Sequence, residues 1–203
     1  MAKGVYILDS EVVIVGGGPF GLMLAIELGR RNVTTLLYDA KNGTAYNPQA
    51  NATQARTMEY FRRLGIADEI RALGMPADYP TDIAYFTRYG HHELGRFELP
   101  ASSKANALVR SNQGSWTASE APHRISQKFV EPVLRRLAEA YDSVTINFGF
   151  RMTEFKEGAS GVSAVFEQYE TGLTHNIDAN YLIGADGARS MVRKQLGYSL
   201  KGE

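Results

Sequence analysis

The chain has 203 residues with 22 basic and 22 acidic side chains, so its formal net charge is zero. A neutral chain has no long-range field to attract nucleic acid or an anionic membrane, and the absence of cysteine excludes disulfides and thiolate metal sites. No apolar run reaches the roughly 18 residues of a membrane helix, so we expect a cytoplasmic protein without nucleic-acid or membrane partners.

The start of the chain predicts a βαβ unit. Glu11–Val15 is an apolar, β-branched run typical of a strand buried on both faces. A helix is predicted from Pro19 to Arg31, and Thr34–Asp39 reads as a second strand. Strand, helix and strand within about 30 residues indicate two parallel strands joined by a right-handed crossover.

A glycine pattern, Gly-Gly-Gly-Pro-Phe-Gly, lies between the first predicted strand and the helix and has the form G-x-G-x-x-G. In this pattern Gly16 allows a tight turn, Gly18 lets the backbone approach a pyrophosphate, and Gly21 lets helix and strand pack closely. The phosphates would lie at the helix start, at Pro19 and Phe20, where unpaired N–H groups and the helix dipole favour anions. The pattern therefore predicts a dinucleotide site.

Asp39 ends the second predicted strand. Its carboxylate is placed to accept hydrogen bonds from an adenosine ribose, and its charge would repel a ribose 2′-phosphate. The alternative is a glycine-rich turn with a capping Asp. Because FAD and NAD share the adenosine diphosphate half, the pattern alone does not separate the two cofactors.

The middle of the chain predicts two helices, Thr53–Leu64 and Ala67–Leu73, each ended by a glycine in the left-handed conformation, Gly65 and Gly74. A hairpin is predicted after them, over Asp82–Leu99 with its turn around Gly90. No period is visible over residues 100–123, for which we expect irregular chain.

The last third predicts a helix over residues 128–141, with Pro132 in its first turn, and a strand over Val144–Asn147. A three-stranded antiparallel meander is predicted over Phe150–Phe155, Val162–Glu167 and His175–Asp178. A separate strand, Tyr181–Ala185, and a short helix, Ser190–Leu196, follow. The fold class is therefore α/β: a parallel sheet on the βαβ unit, an antiparallel β-meander over it, and an inserted β-hairpin.

Three stretches resemble the FAD-dependent aromatic hydroxylases, the group A flavoprotein monooxygenases typified by p-hydroxybenzoate and phenol hydroxylases. They are the glycine pattern with Asp39, the segment Gln54–Ile66, and the segment Tyr181–Arg193, which is similar to the family's Asp-Gly motif. The resemblance implies a Rossmann-like FAD-binding domain over residues 1–80 and 124–203. It also implies a partial substrate-domain β insertion over residues 81–123.

The resemblance implies cofactor contacts outside the glycine pattern. Arg56 is similar to the arginine that reaches the flavin's phosphate or ribityl region, and Arg124 and Gln127 would point into the same groove. Asp186 and Gly187 match the motif that lies near the pyrophosphate and acts in reduction by the nicotinamide cofactor. The alternatives are an exposed helix arginine, an ordinary polar helix start, and a strand-to-helix turn with a capping Asp.

The function implied by the resemblance is hydroxylation of a small phenolic or other aromatic substrate, with FAD as cofactor, NAD(P)H as reductant and O₂. No catalytic residue and no metal ligand can be named. The alternatives are another flavoprotein of this fold, such as a halogenase or a reductase, and a non-catalytic dinucleotide-binding module. The family's later Gly-Asp motif is missing, so we expect an N-terminal portion that does not turn over alone. Its exposed hairpin edge would favour homo-oligomers or other association.

Overall fold

The computed structural model describes residues 5–47, 49–111, 118–199 and 201–202. The strands of this part are Val5–Val15 (β1), Thr35–Asp39 (β2), Ala52–Thr53 (β3), Ile83–Phe86 (β4), Glu93–Phe97 (β5), His123–Arg124 (β6), Val144–Phe148 (β7), Phe150–Gly158 (β8), Gly161–Gln168 (β9) and Thr174–Gly184 (β10). Its helices are Pro19–Gly29 (α1), Ala55–Arg63 (α2), Ala67–Ala72 (α3), Ser102–Ser111 (α4), Gln127–Glu139 (α5) and Met191–Gln195 (α6).

The chain divides into two compact units. We call Met1–Tyr46 together with Leu134–Glu203 the sheet unit, and Asn47–Val133 the middle unit. The assignment of residues 81–123 to a substrate-domain insertion stays a prediction. No helix in the described ranges is both long enough and apolar enough to cross a membrane.

The sheet unit contains a six-stranded sheet in the order β7, β2, β1, β10, β9 and β8. Neighbours among β7, β2, β1 and β10 pair in parallel, and β9 and β8 continue the sheet antiparallel. The predicted βαβ unit and meander are confirmed, and β1 begins six residues earlier than predicted, at Val5 instead of Glu11. Because β7, β2, β1 and β10 are parallel, their carboxyl ends share one edge of the sheet.

Strand β10 corrects the sequence interpretation. The sequence pattern predicts two separate strands here, His175–Asp178 and Tyr181–Ala185. The structure has one strand of 11 residues, in which Ile177 and Ala179 are buried while Asp178 and Asn180 are exposed. The alternation continues through the polar residues, and it lets β10 pair with β9 and β1 at once, which makes the meander and the parallel strands one sheet.

The meander also folds back over one face of the parallel strands. The Tyr38 ring of β2 stacks on the Phe166 ring of β9, with centroids 4.0 Å apart, although β1 and β10 lie between these strands in the sheet. Helix α1 packs on the opposite face, where Ile14 is fully buried. The buried side chains around Tyr38 on the meander side include Val13, Val15, Leu36, Phe150, Met152 and Ile177. Both faces of the central strands are therefore covered.

Helix α5 begins earlier than its apolar stripe indicated. Pro132 was predicted in the first turn, but the helix starts at Gln127 and Pro132 lies inside it. The Gln127 side chain donates to Glu131 Oε1 at 2.6 Å, which stabilises the added polar turn. Proline has no N–H, so one internal hydrogen bond of this helix is not made.

Two predictions for the middle unit were wrong. Helix α4 lies within the segment expected to be irregular. Among the described residues of this helix, Ala105 is the buried one, so the sequence shows no helical repeat of apolar residues. Gly74 does not have a positive φ, although Gly65 does. Gly74 is small for another reason: a Cβ there would overlap the imidazole of His123.

The predicted hairpin is present as β4 and β5, and its two faces differ. Ile83 pairs with Phe97, and the Tyr85 ring meets the Phe97 ring edge to face at 6.1 Å on an exposed apolar face. On the other face, Arg96 forms ion pairs with Asp82 and Glu93. Association through this hairpin stays a prediction.

His123 makes the stability of the middle unit depend on pH. The residue is 5% exposed, and burial, together with the Arg71 charge, lowers its pKa to about 4. The imidazole is protonated near pH 6.5 in the unfolded chain but only near pH 4 in the folded chain. The free energy of unfolding therefore decreases as the pH is lowered from 6.5 toward 4. In urea unfolding, we expect His123→Gln to reduce the fall between about pH 7.5 and 5 by about 2 kcal/mol.

The exposed His92 provides the matched control, since His92→Gln removes an imidazole from the hairpin tip. We expect this variant to lose stability with pH as the wild type does. Parallel pH curves for wild type and His123→Gln would contradict the assignment to the buried imidazole.

Candidate functional site

The carboxyl end of β1 and the start of α1 form a tight glycine loop. Gly16 has a φ of +111°, a backbone conformation that residues with a side chain rarely adopt. Its N–H donates to the Tyr38 carbonyl at 2.7 Å. Gly18 is the N-cap of α1. The loop therefore joins the ends of β1 and β2 before the chain enters the helix.

Each glycine of the pattern has its own spatial environment. A Cβ at Gly16 would overlap the Ala185 carbonyl, and one at Gly21 would overlap the Gly16 carbonyl oxygen. A Cβ at Gly18 would meet nothing within 4 Å. The predicted mechanical roles agree with this geometry: Gly16 and Gly21 permit backbone contacts inside the protein, and Gly18 leaves open space beside the helix start.

The first turn of α1 is favourable for an anion. Pro19 occupies the start of the helix, and neither a side-chain cap at Gly18 nor an acidic residue in the first turn competes for the amide groups. Phe20 follows with 86% of its surface exposed. The N–H groups of this turn and the helix dipole are thus available to a negatively charged ligand.

Asp39 lies next to the glycine loop, and the structure adds a contact that the pattern did not indicate. Its Oδ2 accepts from the Gly17 N–H at 2.6 Å, and its Oδ1 accepts from the Lys41 N–H at 2.7 Å. A carboxylate oxygen can accept two hydrogen bonds, so each oxygen keeps one position for a ligand hydroxyl. The signal that could have revealed the Gly17 contact is the parallel pairing of β1 with β2, which brings the two strand ends together.

Asp186 and Gly187 lie at the same edge, after β10. The Ala185 N–H donates to the Val15 carbonyl at 2.7 Å, and Gly187 has a φ of +75°. Asp186 Oδ2 accepts from the Met191 N–H at 2.6 Å, at the start of α6. Asp186 Oδ1 is buried and has no hydrogen-bond partner among the described residues. The capping interpretation thus accounts for one carboxylate oxygen and leaves the other without a partner among the described residues.

Arg56 belongs to the middle unit, on α2. Its side chain is 78% exposed, and its Nη1 lies 2.9 Å from Glu59 Oε2 on the same helix. An exposed pair of this kind contributes little to stability, so Glu59 does not prevent Arg56 from binding an anion.

Arg124 and Gln127 are also in the middle unit, around the start of α5. Arg124 Nη1 donates to Asn51 Oδ1 at 3.2 Å. Gln127 Oε1 accepts from the Gln49 N–H at 2.9 Å, and its Nε2 donates to Glu131 Oε1. The structure therefore brings these two side chains to one helix start and occupies both polar atoms of Gln127 within the unit. Cofactor contact by Arg56, Arg124 and Gln127 stays a prediction.

The sheet-unit residues fit a dinucleotide. The open space at Gly18, the unoccupied amides of α1, the remaining acceptor positions of Asp39 and the unpartnered Asp186 oxygen lie around one edge of the parallel sheet. Ligands of open α/β sheets bind outside the carboxyl ends of the strands. The fold and this edge define the class as a dinucleotide-binding α/β protein.

The comparison with protein families identifies the cofactor. The family model described as FAD binding domain matches residues 9–203. The chain belongs to this family, and it is an FAD-binding domain of the group A flavoprotein monooxygenases, which confirms the resemblance in the sequence.

Among its relatives, aklavinone 12-hydroxylase DnrF of Streptomyces peucetius is 35% identical over 198 residues, which are 96% of this chain and 39% of that protein. Phenol 2-monooxygenase of Pseudomonas sp. (strain EST1001) is 30% identical over 194 residues, 96% of this chain and 31% of that protein. The chain thus spans about a third of the length of these relatives.

Solved structures agree with the fold. The flavin-dependent monooxygenase PieE, in complex with FAD and substrate, superposes with a TM-score of 0.83 at 31% identity, over 97% of this chain and 33% of that one. The rebeccamycin biosynthetic enzyme RebC with reduced flavin gives a TM-score of 0.81 at 32% identity, over 95% of this chain and 35% of that one. The predicted α/β class with a parallel sheet and an antiparallel meander is confirmed.

The different environments of Gly21 and Gly18 give a stability test. We expect Gly21→Ala to lower the free energy of unfolding by about 2 kcal/mol, because its Cβ would overlap backbone that cannot move freely. Gly18→Ala adds the same methyl group in open space and should cost less than about 1 kcal/mol, the N-cap preference for glycine over alanine. Urea unfolding measures both, and equal losses would contradict the close contact at Gly21.

Proposed function

We propose that this chain binds FAD and serves as the cofactor-holding part of a monooxygenase that hydroxylates a phenolic or related aromatic compound. The observation that carries the proposal is the shared edge at which the glycine loop, Asp39 and Asp186 follow three neighbouring parallel strands. Membership of the FAD binding domain family selects FAD among dinucleotides.

The proposed roles follow from the chemistry of each group. The amides at the start of α1 would bind the diphosphate, with Gly18 leaving room for it. Asp39 would accept the hydroxyl hydrogens of the adenosine ribose. The Asp186 oxygen that has no partner would accept a hydrogen bond from the bound cofactor or from a water held by it.

The middle unit would supply further contacts. Arg56 carries an exposed guanidinium that can form paired hydrogen bonds with phosphate oxygens. Arg124 at the start of α5 would point toward the cofactor, and Gln127 would offer a polyol chain the second N–H of its amide, since its first is donated to Glu131. The exposed apolar hairpin of β4 and β5 would belong to a substrate-domain insertion, and it could pair with a second copy or with other strands.

FAD supplies the redox chemistry when it is bound: it accepts electrons from NAD(P)H and uses them to activate O₂. The residues of this chain bind, orient and shield the cofactor, and none of them is assigned to the chemical step. Support for a phenolic substrate comes from the names of relatives such as phenol 2-monooxygenase and 2,4-dichlorophenol 6-monooxygenase.

FAD binding and phenol-dependent oxidation of NAD(P)H test the proposal. We expect the purified chain to be yellow and to quench flavin fluorescence when it is titrated with FAD. We expect the whole protein to oxidise NADH or NADPH several-fold faster when a phenol is added. Gly18→Val should weaken FAD binding at least tenfold, because its side chain would fill the space left for the diphosphate.

Gly158→Ala is a matched control, since a Cβ there makes only an ordinary contact of 3.7 Å in the sheet unit. It should bind FAD like the wild type. A colourless wild-type protein without affinity for FAD would contradict the proposal and favour a non-catalytic module.

Arg56 can be tested against an arginine in a similar ion pair. We expect Arg56→Met to weaken FAD binding about tenfold at low salt and less at high salt, because a charge-assisted contact with phosphate is lost. Arg30→Met removes an arginine that likewise pairs with a glutamate three residues away, Glu27, and should leave FAD affinity unchanged. Equal effects in flavin fluorescence titrations would show that Arg56 has no special contact with the cofactor.

A further inference from the structure

The order of the strands indicates where the base of the dinucleotide lies. The glycine loop follows β1, Asp39 ends β2, and the next strand in the sheet is β7, which ends at Phe148. Asp39 and Phe148 are paired in the β2–β7 register. Neighbouring strands lie about 4.8 Å apart, and a nucleotide runs from phosphate through ribose to base. A nucleotide whose phosphates lie at β1 and whose ribose lies at β2 therefore carries its base to the end of β7.

Phe148 lies on the same face of the sheet as Asp39, and its ring extends toward Gly17 in the glycine loop. A Cβ at Gly17 would lie 3.1 Å from the Asp39 Cβ and 3.3 Å from Phe148 Cε1. Phe148 is half-buried, so part of the residue is accessible from outside the protein. An aromatic ring thus lies directly beside the carboxylate proposed to bind the ribose.

The ring is supported by its surroundings. The Arg135 guanidinium lies over the Phe148 ring, 4.7 Å from its centroid, and Arg135 Nε donates to Glu139 Oε1 at 2.7 Å. The next residue, Gly149, donates its N–H to the Lys41 carbonyl at 2.8 Å. Arg135, whose charge is balanced by Glu139, therefore contacts one face of the Phe148 ring, and the backbone next to Phe148 is held by the loop that follows Asp39.

We infer that Phe148, supported by Arg135, forms the apolar contact for the adenine ring of the cofactor. The inference rests on the proposed binding of FAD. Adenine is planar and aromatic, and a base in contact with an aromatic side chain gains stacking energy without needing a specific hydrogen bond. The diphosphate and ribose contacts then set the position of the nucleotide, and Phe148 makes the affinity depend on its base.

Calorimetric titration with ADP, inorganic pyrophosphate and FAD separates these parts of the ligand. We expect Phe148→Ala to weaken binding of ADP and FAD about tenfold and to leave pyrophosphate binding unchanged. Phe148→Leu keeps apolar volume in the sheet and loses the aromatic face, so it should fold like the wild type and weaken ADP several-fold. Phe148→Trp should restore the affinity, because it keeps an aromatic surface.

Phe129 provides the matched control, since Lys128 Nζ lies 4.9 Å from the centroid of its ring, as a cation does over Phe148. Phe129→Ala should bind ADP like the wild type. Wild-type affinity for ADP in Phe148→Leu would overturn the inference and leave the proposed FAD binding intact. An equal loss of pyrophosphate binding would also overturn it, because the effect would then not concern the base. A wild-type protein that binds neither FAD nor ADP would overturn the proposed function itself.

Discussion

Backbone atoms of Gly16, Gly21 and Ala185 lie in contact at the point where β1 ends, and a Cβ at either glycine would overlap them. This contact allows α1 to start directly above the end of β1, and it places the segment after β10 against the glycine loop. The two motifs that were separate in the sequence thus become neighbours. The rest of the candidate site depends on this approach, because it brings the helix amides, Asp39 and Asp186 to one edge of the sheet.

Tyr38 connects this edge to the core. Its carbonyl accepts the Gly16 N–H at 2.7 Å, its ring stacks on Phe166, and its hydroxyl lies 2.9 Å from His175 Nδ1. Burial lowers the pKa of His175, which favours the neutral imidazole that can accept from the hydroxyl. A residue directly before Asp39 is therefore fixed by the meander, so the packing of the meander over the sheet also positions the carboxylate.

In the middle unit, charged side chains hold the segment that precedes β6. Glu59 Oε1 accepts from the Ser119 N–H at 2.8 Å, and Arg71 Nη2 lies 2.8 Å from Glu120 Oε2 in a pair that is about nine-tenths buried on both sides. Removing one partner of such a pair is costly, because it leaves a buried charge without compensation. Since Glu59 also contacts Arg56, the position of this arginine depends on the same segment.

The sequence by itself determined the α/β class, the βαβ unit, the glycine loop and the place of Asp39, because these features depend on spacing and periodicity within short stretches of chain. The continuity of β10, the helix α4, the role of Gly74 beside His123, and the pairing of Asp39 with Phe148 were decided only by the tertiary structure. They arise from strand register and from side chains of distant segments that meet in the fold. Local sequence carries no signal of either, since register is set by which apolar faces are buried together.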